Sequence, residues 1–218
     1  MKQNGKNGTR SRVTIVGISG SLRPGSYTRK AVRIALEGAK EAGADTRLLD
    51  LRDYELPFSS GNPKDRNYPS DVYRLRDDIQ NADGVILGSP EYHGGMSGVL
   101  KNAIDLMGFK EFEGKMIGLV GVSGGLMGAT NALASLRTVG RALHAWVIPE
   151  QVSIPQAWRR FSKDGDIDDG AIRERLKGVG QQVAHYSSLH AFDNEKVFLE
   201  EWQAAPQNPG GIRQGKSA

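Results

Sequence analysis

Five times along this chain a short apolar run gives way to a polar loop and then to an apolar stripe at helical spacing. That alternation leaves few architectures open. The first run, Val13-Thr14-Ile15-Val16, is β-branched throughout, as buried strands are. Val32, Ala35, Leu36 and Ala39 then fall at i, i+3, i+4 and i+7 and share one face of a helix. Further strands are predicted at Thr46–Leu51, Asp83–Gly88, Met116–Val122 and Ala145–Ile148. Val85, Ile86 and Leu87 are continuously apolar, which suits a strand covered on both faces. Helical stripes follow at Val72, Leu75, Arg76 and Ile79, at Leu100, Ala103, Ile104 and Met107, and at Ala129, Ala132, Leu133, Leu136, Gly140 and Leu143. A last one comprises Ile172, Leu176, Val179 and Val183. Gly43 is expected to cap the end of the first helix, and Ser70 and Ser97 to cap the starts of two others. Strands that alternate with helices pair in parallel and are covered on both faces. The expectation is a three-layer α/β fold with a five-stranded parallel sheet, whose ligand lies outside the carboxyl ends of the strands.

The loop after the first strand, Ser19-Gly20-Ser21-Leu22-Arg23-Pro24-Gly25-Ser26-Tyr27-Thr28, has the chemistry of an anion site. N–H groups at the start of a helix point outward and carry the positive end of its dipole. Ser19, Ser21, Ser26 and Thr28 add hydroxyl donors, and Arg23 adds a full charge. A nucleoside triphosphatase loop needs lysine and Ser/Thr after its last glycine, whereas Ser26 and Tyr27 follow Gly25. A dinucleotide fingerprint needs G-x-G-x-x-G, which Gly17, Gly20 and Gly25 do not supply. What remains is a hydroxyl-rich cradle for one terminal phosphate, or a tight polar turn. Two more loops stand out: Ser89-Pro90-Glu91-Tyr92-His93-Gly94-Gly95 after the third strand, and Ser123-Gly124-Gly125 after the fourth. All of these loops are expected at the same edge of the sheet.

Composition narrows the chemistry. The 218 residues include no cysteine, which excludes disulfides, thiolate metal sites and cysteine nucleophiles and suits a reducing compartment. No apolar run reaches the length of a membrane span, and the amino terminus lacks the apolar core of a signal peptide. A cytoplasmic protein is expected. The net charge of +4 is concentrated in Lys2, Lys6, Arg10, Arg12, Arg213 and Lys216 near the ends. This is a solvated distribution, not the clustered stripe of a nucleic-acid binder. Residues 1–12 and 193–218 read as polar, disordered extensions around one domain at 13–192. The proline-rich segment 54–69 reads as a long loop, suited to covering a ligand or reaching a neighbouring subunit.

With these motifs in view, the chain resembles the NADPH-dependent FMN reductases. This flavodoxin-like group includes quinone, azo-dye and chromate reductases and the ArsH-type proteins. The resemblance rests on Gly20-Ser21-Leu22-Arg23 with Ser26, on Ser89-Pro90-Glu91-Tyr92-His93, and on Gly98-Val99-Leu100-Lys101-Asn102-Ala103-Ile104-Asp105. It implies a flavodoxin-like fold that binds FMN. Ser19, Ser21, Arg23, Ser26 and Thr28 would hold the phosphate, with Leu22 and Tyr27 in the same loop. Pro90, Glu91, Tyr92, His93 and Gly94 would wrap the ring and ribityl chain. Ser123, Gly124 and Gly125 would line the other side of the ring. The family often has asparagine at the positions of Thr28 and His93; a histidine at the latter is similar to the ArsH-type branch. The implied reaction runs in two halves, NADPH or NADH delivering a hydride to FMN before a small-molecule acceptor takes the electrons. No side chain is nominated as an acid or base. No metal, nucleic-acid or membrane partner is implied, and the assembly would be a homodimer or homotetramer. The alternatives are a flavodoxin-type carrier that does not oxidise nicotinamide, although such carriers are usually acidic, and a module that uses the fold without a flavin.

Overall fold

A strand apolar on both sides needs neighbours on both edges and helices on both faces, and the chain supplies them in order. The computed structural model describes residues 12–61, 67–162 and 165–191. Along the chain run β1 (Thr14–Ser19), α1 (Tyr27–Glu41), β2 (Asp45–Asp50), α2 (Ser70–Gln80), β3 (Gly84–Tyr92) and β4 (Gly95–Met96). After them come α3 (Gly98–Asp105), a single turn α4 (Phe109–Phe112), β5 (Met116–Val122), α5 (Thr130–Ala142), β6 (Trp146–Ile154) and α6 (Gly170–Ala191). The order across the sheet is β2-β1-β3-β5-β6, all parallel, with β4 added antiparallel to the far end of β3. The five-stranded parallel sheet is therefore present, with one short strand more. Strand order reverses between β1 and β3, the switch point beside which ligands of open α/β sheets bind.

Alternate residues of the central strands feed separate cores. Ile15, Ile86 and Val120 face α1 and α6, where Val32, Ala35, Val179 and Val183 are buried. Val16, Ile18, Val85, Leu87 and Leu119 face the other layer, with Leu75, Ile79, Leu100, Ile104, Leu133 and Leu136. The α1–α6 contact is close enough to require glycine. A Cβ on Gly180 would lie 1.7 Å from the Ala35 carbonyl oxygen, and one on Gly38 would lie 2.2 Å from that of Lys177. Ion pairs Arg173–Glu37 (3.0 Å) and Lys177–Glu41 (2.7 Å) bridge the same two helices along their wet edge.

Several predicted boundaries shift, each for a local reason. Gly43 lies one residue beyond the cap: Ala42 closes α1, and Gly43 takes the left-handed conformation (φ 92°) that follows it. Ser70 is the first helical residue of α2, whose cap is Pro69 and carries no side-chain hydrogen bond. Arg76 is not part of the buried stripe; its Nε donates to the Leu106 carbonyl at 2.6 Å. Met107 lies past the end of α3, where Leu106 is the cap. The third strand continues beyond Gly88 through Pro90, Glu91 and Tyr92, because β4 and β5 pair with that stretch. The last strand runs on from Ile148 to Ile154 instead of entering a loop. Its register slips between Val147 and Gln151, which absorbs Pro149 in a bulge on an edge strand, where a missing N–H is tolerated. The predicted extensions 1–12 and 193–218, apart from residue 12, and the middle of the 54–69 loop, residues 62–66, lie outside the described residues.

Gly180→Ala weighs two effects of opposite sign. Alanine favours a helix interior by about 1 kcal/mol over glycine, but here its methyl group must push α6 off the α1 backbone. Overpacking of that kind costs about 1–3 kcal/mol or more, so net destabilisation is expected. A midpoint of urea unfolding equal to or above the parent's would show that the helices do not touch there.

Candidate active site

The loops after β1, β3 and β5 meet because those strands are neighbours in the sheet. Between them lies a cleft of about 280 Å³ lined by residues of all three loops and of the turn after β6. The first loop is pinned by backbone and hydroxyl groups. Gly20 N–H donates to the Gly88 carbonyl (2.8 Å), and the Gly20 carbonyl accepts from Ser97 Oγ (2.6 Å). A Cβ on Gly20 would come within 2.7 Å of Leu100 Cβ, so only glycine fits under this crossing. Ser26 Oγ accepts from Arg29 N–H (3.1 Å) and caps α1. The first-turn N–H groups of Tyr27 and Thr28 have no intrahelical acceptor and are left for a ligand. Arg29 braces the loop from behind, donating to the Pro24 carbonyl and pairing with Asp50 at 3.1 Å. Asp50 also holds Arg52, at 2.6 Å.

Ser21, Ser26 and Thr28 line the cleft and are almost fully buried. Arg23 lines it as well and forms no ion pair among the described residues; its guanidinium carbon stands 6.0 Å from the Tyr92 ring centroid. The second wall is the end of β3 and the hairpin to β4. Its central residues, His93 and Gly94, both have positive φ (51° and 76°), the requirement of a two-residue type I′ turn between strands of natural twist. Asparagine, aspartate and histidine accept that conformation best among residues other than glycine. The third wall is Ser123 and Gly124. Their loop is stapled to the turn after β6 by Ala157 N–H to the Ser123 carbonyl (3.0 Å) and Gln156 N–H to the Gly125 carbonyl (3.1 Å).

The sequence profile described as NADPH-dependent FMN reductase matches residues 13–159. The chain belongs to this family. It is 28% identical over 184 residues to an FMN-dependent NADPH-azoreductase of Staphylococcus aureus, covering 82% of this chain and 97% of the relative. Among solved structures it resembles FerB, a flavoenzyme NAD(P)H:(acceptor) oxidoreductase of Paracoccus denitrificans, with a TM-score of 0.63 and 26% identity over 82% and 98% of the two chains. An archaeal flavodoxin also superposes (TM-score 0.56, 14% identity, 80% and 98% covered), a likeness of fold alone. This member of the family is thus an oxidoreductase with the flavodoxin-like fold, dependent on FMN and NADPH; the carrier alternative finds no support.

The donor set of the first loop fits a phosphate monoester: buried hydroxyls, two free N–H groups and one uncompensated guanidinium, with no carboxylate in residues 19–28. Of the residues expected at the cofactor, Ser21, Arg23, Ser26, Tyr27, Thr28, Pro90, Glu91, Tyr92, Ser123 and Gly124 line the cleft. Ser19, Leu22, His93, Gly94 and Gly125 fall outside its lining. Ser19 lies beneath the loop, its hydroxyl fully buried without a partner among the described residues. Leu22 is half exposed, and His93 and Gly94 form the hairpin turn. Sequence reasoning missed Gly25, Val122, Ala157 and Trp158 as lining residues. Only Gly25, within the hydroxyl-rich loop, carried a signal in the sequence.

Glu91 plays a part that its motif does not announce. Its Oε2 accepts from the N–H of Ala132 at 3.0 Å, in the first turn of α5, where the cap residue Ala129 offers no side chain of use. The carboxylate sits at the positive end of that helix and clamps the second wall of the cleft to the helix behind the third. Losing a cap costs about 1 kcal/mol, so Glu91→Ala should be destabilised by about that much and Glu91→Gln by less, since the amide oxygen still accepts. Thermal unfolding of both apoproteins measures this. Equal loss in the two would mean that charge, not hydrogen bonding, holds the clamp.

Proposed function

We propose that FMN sits in this cleft with its phosphate on the loop from Ser19 to Thr28, chiefly on Ser21, Arg23, Ser26 and Thr28. Its ring would lie between the Pro90–Gly94 hairpin and the Ser123–Gly125 loop. The observation that carries this reading is Arg23, a cation with no carboxylate partner beside buried hydroxyls at the start of a long helix. When bound, FMN supplies the electron chemistry, accepting a hydride equivalent from NAD(P)H and yielding electrons to an acceptor. The protein's part is orientation and electrostatics. The brace Asp50–Arg29–Pro24 keeps the loop open to an anion without occupying it. Glycines at 124 and 125 leave the third wall free of side chains, so that flat molecules can approach. Backbone N–H groups near Tyr92 to Gly94 would supply fixed dipoles to negative charge on a bound ring, the logic of an oxyanion hole. No side chain of the cleft is assigned as a proton donor or acceptor.

Small planar acceptors, quinones or azo compounds, suit the same open face; the azoreductase and FerB relatives are consistent with that class. Leu126 and Met127 beside the cleft are 77% and 88% exposed, apolar cover that a second protomer would bury, and a homodimer or homotetramer follows. A consumer of NADPH works where that nucleotide is regenerated, which implies the cytoplasm. No helix among the described residues is long and apolar enough to cross a membrane.

The test is an absorbance spectrum after incubation with FMN and desalting, before and after anaerobic NADPH. A retained flavin band that bleaches within seconds is expected; a retained band that neither NADPH nor NADH bleaches would overturn the reductase reading. Arg23→Ala removes a charge-assisted contact of about 1.5–3 kcal/mol, so FMN should bind roughly 10–100-fold more weakly. Unchanged affinity in a flavin-quenching titration would sink the phosphate assignment.

A further inference from the structure

At one edge of the cleft two cations stand on aromatic rings and lack carboxylate partners. Trp158 lines the cleft with 55% of its surface in water, and the Arg159 guanidinium carbon lies 4.5 Å from the centroid of its ring. Tyr27 also lines the cleft and stacks on Phe161 at 5.0 Å, while Lys30 Nζ lies 5.4 Å from the Tyr27 centroid and 6.0 Å from that of Phe161. Neither Lys30 nor Arg159 lines the cleft, and neither forms an ion pair among the described residues. Their neighbours behave differently. Arg160 pairs with Asp169, and Arg29 and Arg52 share Asp50.

The edge is also held rigidly. Trp158 and Arg159 belong to a single turn that follows Gln156, a left-handed residue (φ 46°) whose N–H is bonded to the Gly125 carbonyl. Ala157 N–H is bonded to the Ser123 carbonyl. The indole and the guanidinium are therefore carried by the third wall of the cleft and move with it.

A largely exposed tryptophan next to an uncompensated arginine matches a ligand that is flat, aromatic and anionic. The Ser19–Thr28 loop already serves one phosphate with its own donors, Arg23 among them. A second anionic ligand that leaves the cleft over Trp158 or Tyr27 reaches the cation standing on that ring, Arg159 or Lys30. We propose that this edge is the subsite for the adenosine 2′-phosphate of NADPH. Trp158 is the platform for the adenine and Arg159 the ligand of the 2′-phosphate, with Lys30 adding to the positive field. A planar guanidinium suits a phosphate through paired N–H donors, and an arginine that accommodates the 2′-phosphate is a recurring means of preferring NADPH to NADH. The inference rests on the reading of the cleft as the site where nicotinamide nucleotides react, and it names the residues that tell the two nucleotides apart.

The test uses the FMN-loaded protein and two probes without a nicotinamide, adenosine 2′,5′-bisphosphate and 5′-AMP, in calorimetric titrations. The bisphosphate should bind the parent protein about tenfold more tightly than AMP, about 1.4 kcal/mol, and Arg159→Ala should erase that difference, since it removes the charge-assisted contact. In steady-state assays the same substitution should raise KM for NADPH about tenfold and leave NADH kinetics and FMN content unchanged; Arg159→Lys should recover part of the loss. Equal binding of the two probes by the parent, or undiminished discrimination in Arg159→Ala, would overturn the subsite. Loss of FMN from Arg159→Ala would overturn it too, and would assign the arginine to the cofactor phosphate. If the parent's flavin is bleached by neither nucleotide, the reductase reading fails; the probe titrations judge the subsite independently of that result.

Discussion

The hydroxyl of Ser97 joins the segments on which the cleft depends. It donates to the Gly20 carbonyl and accepts from Leu100 N–H, while the Ser97 amide donates to Ser89 Oγ at 3.0 Å. Three segments distant in sequence, the loop after β1, the end of β3 and the start of α3, thus share one fully buried polar knot. Buried hydrogen-bonding groups are costly when unpaired, so the knot forms completely or the loop moves. Gly20 completes it, because any side chain there would strike Leu100 and Ser97. The glycine of the Gly-Ser-x-Arg motif therefore serves the crossing beneath the loop, while the serine and arginine line the cleft.

Carboxylates near an anion site need a separate explanation, and two of them have it. Asp50 lies at the carboxyl end of β2 but is surrounded by Arg29 and Arg52, whose charges outnumber its own. Glu91 lines the cleft yet spends its charge on the first turn of α5. Both are tied into scaffolding, and both brace a wall of the cleft. The positive character of the cleft beside the Ser19–Thr28 loop is then set by Arg23 and the α1 terminus, with little opposition.

What could be read from the sequence was whatever chemistry is local. The strand–loop–helix around Ser19–Thr28 announces itself because hydroxyls, glycine and arginine occupy consecutive positions, and helix stripes such as Leu176, Val179 and Val183 announce their buried face by spacing alone. The rest depends on pairing partners far along the chain. Pro90 reads as a turn residue, and only the neighbouring strands reveal that it sits in a continuing strand. Pro149 likewise suggested a loop, until the register slip against β5 gave it a bulge to occupy. Trp158 carries no motif at all, and reaches the cleft because β6 runs six residues further than Ile148. Glu91 was placed in the site by its motif, but its partner, a backbone N–H 41 residues away, leaves no trace in the sequence.

The basic character of the chain also changes meaning once it is distributed in space. The net charge of +4 owes much to residues near the two ends, and in the folded part several arginines are already compensated. Arg47 pairs with Asp78, Arg173 with Glu37, and Arg160 with Asp169. Arg23, Lys30 and Arg159 form no ion pair among the described residues, and each stands within about 6 Å of an aromatic ring that lines the cleft. A cation over a ring face keeps a weak attraction, about 0.5–1 kcal/mol at exposed sites, and gives it up cheaply when a phosphate arrives. An ion pair would have to be broken first. Leaving cations on aromatic rings therefore keeps them available to an anion at the cleft, and local pairing, not total charge, decides where such cations remain.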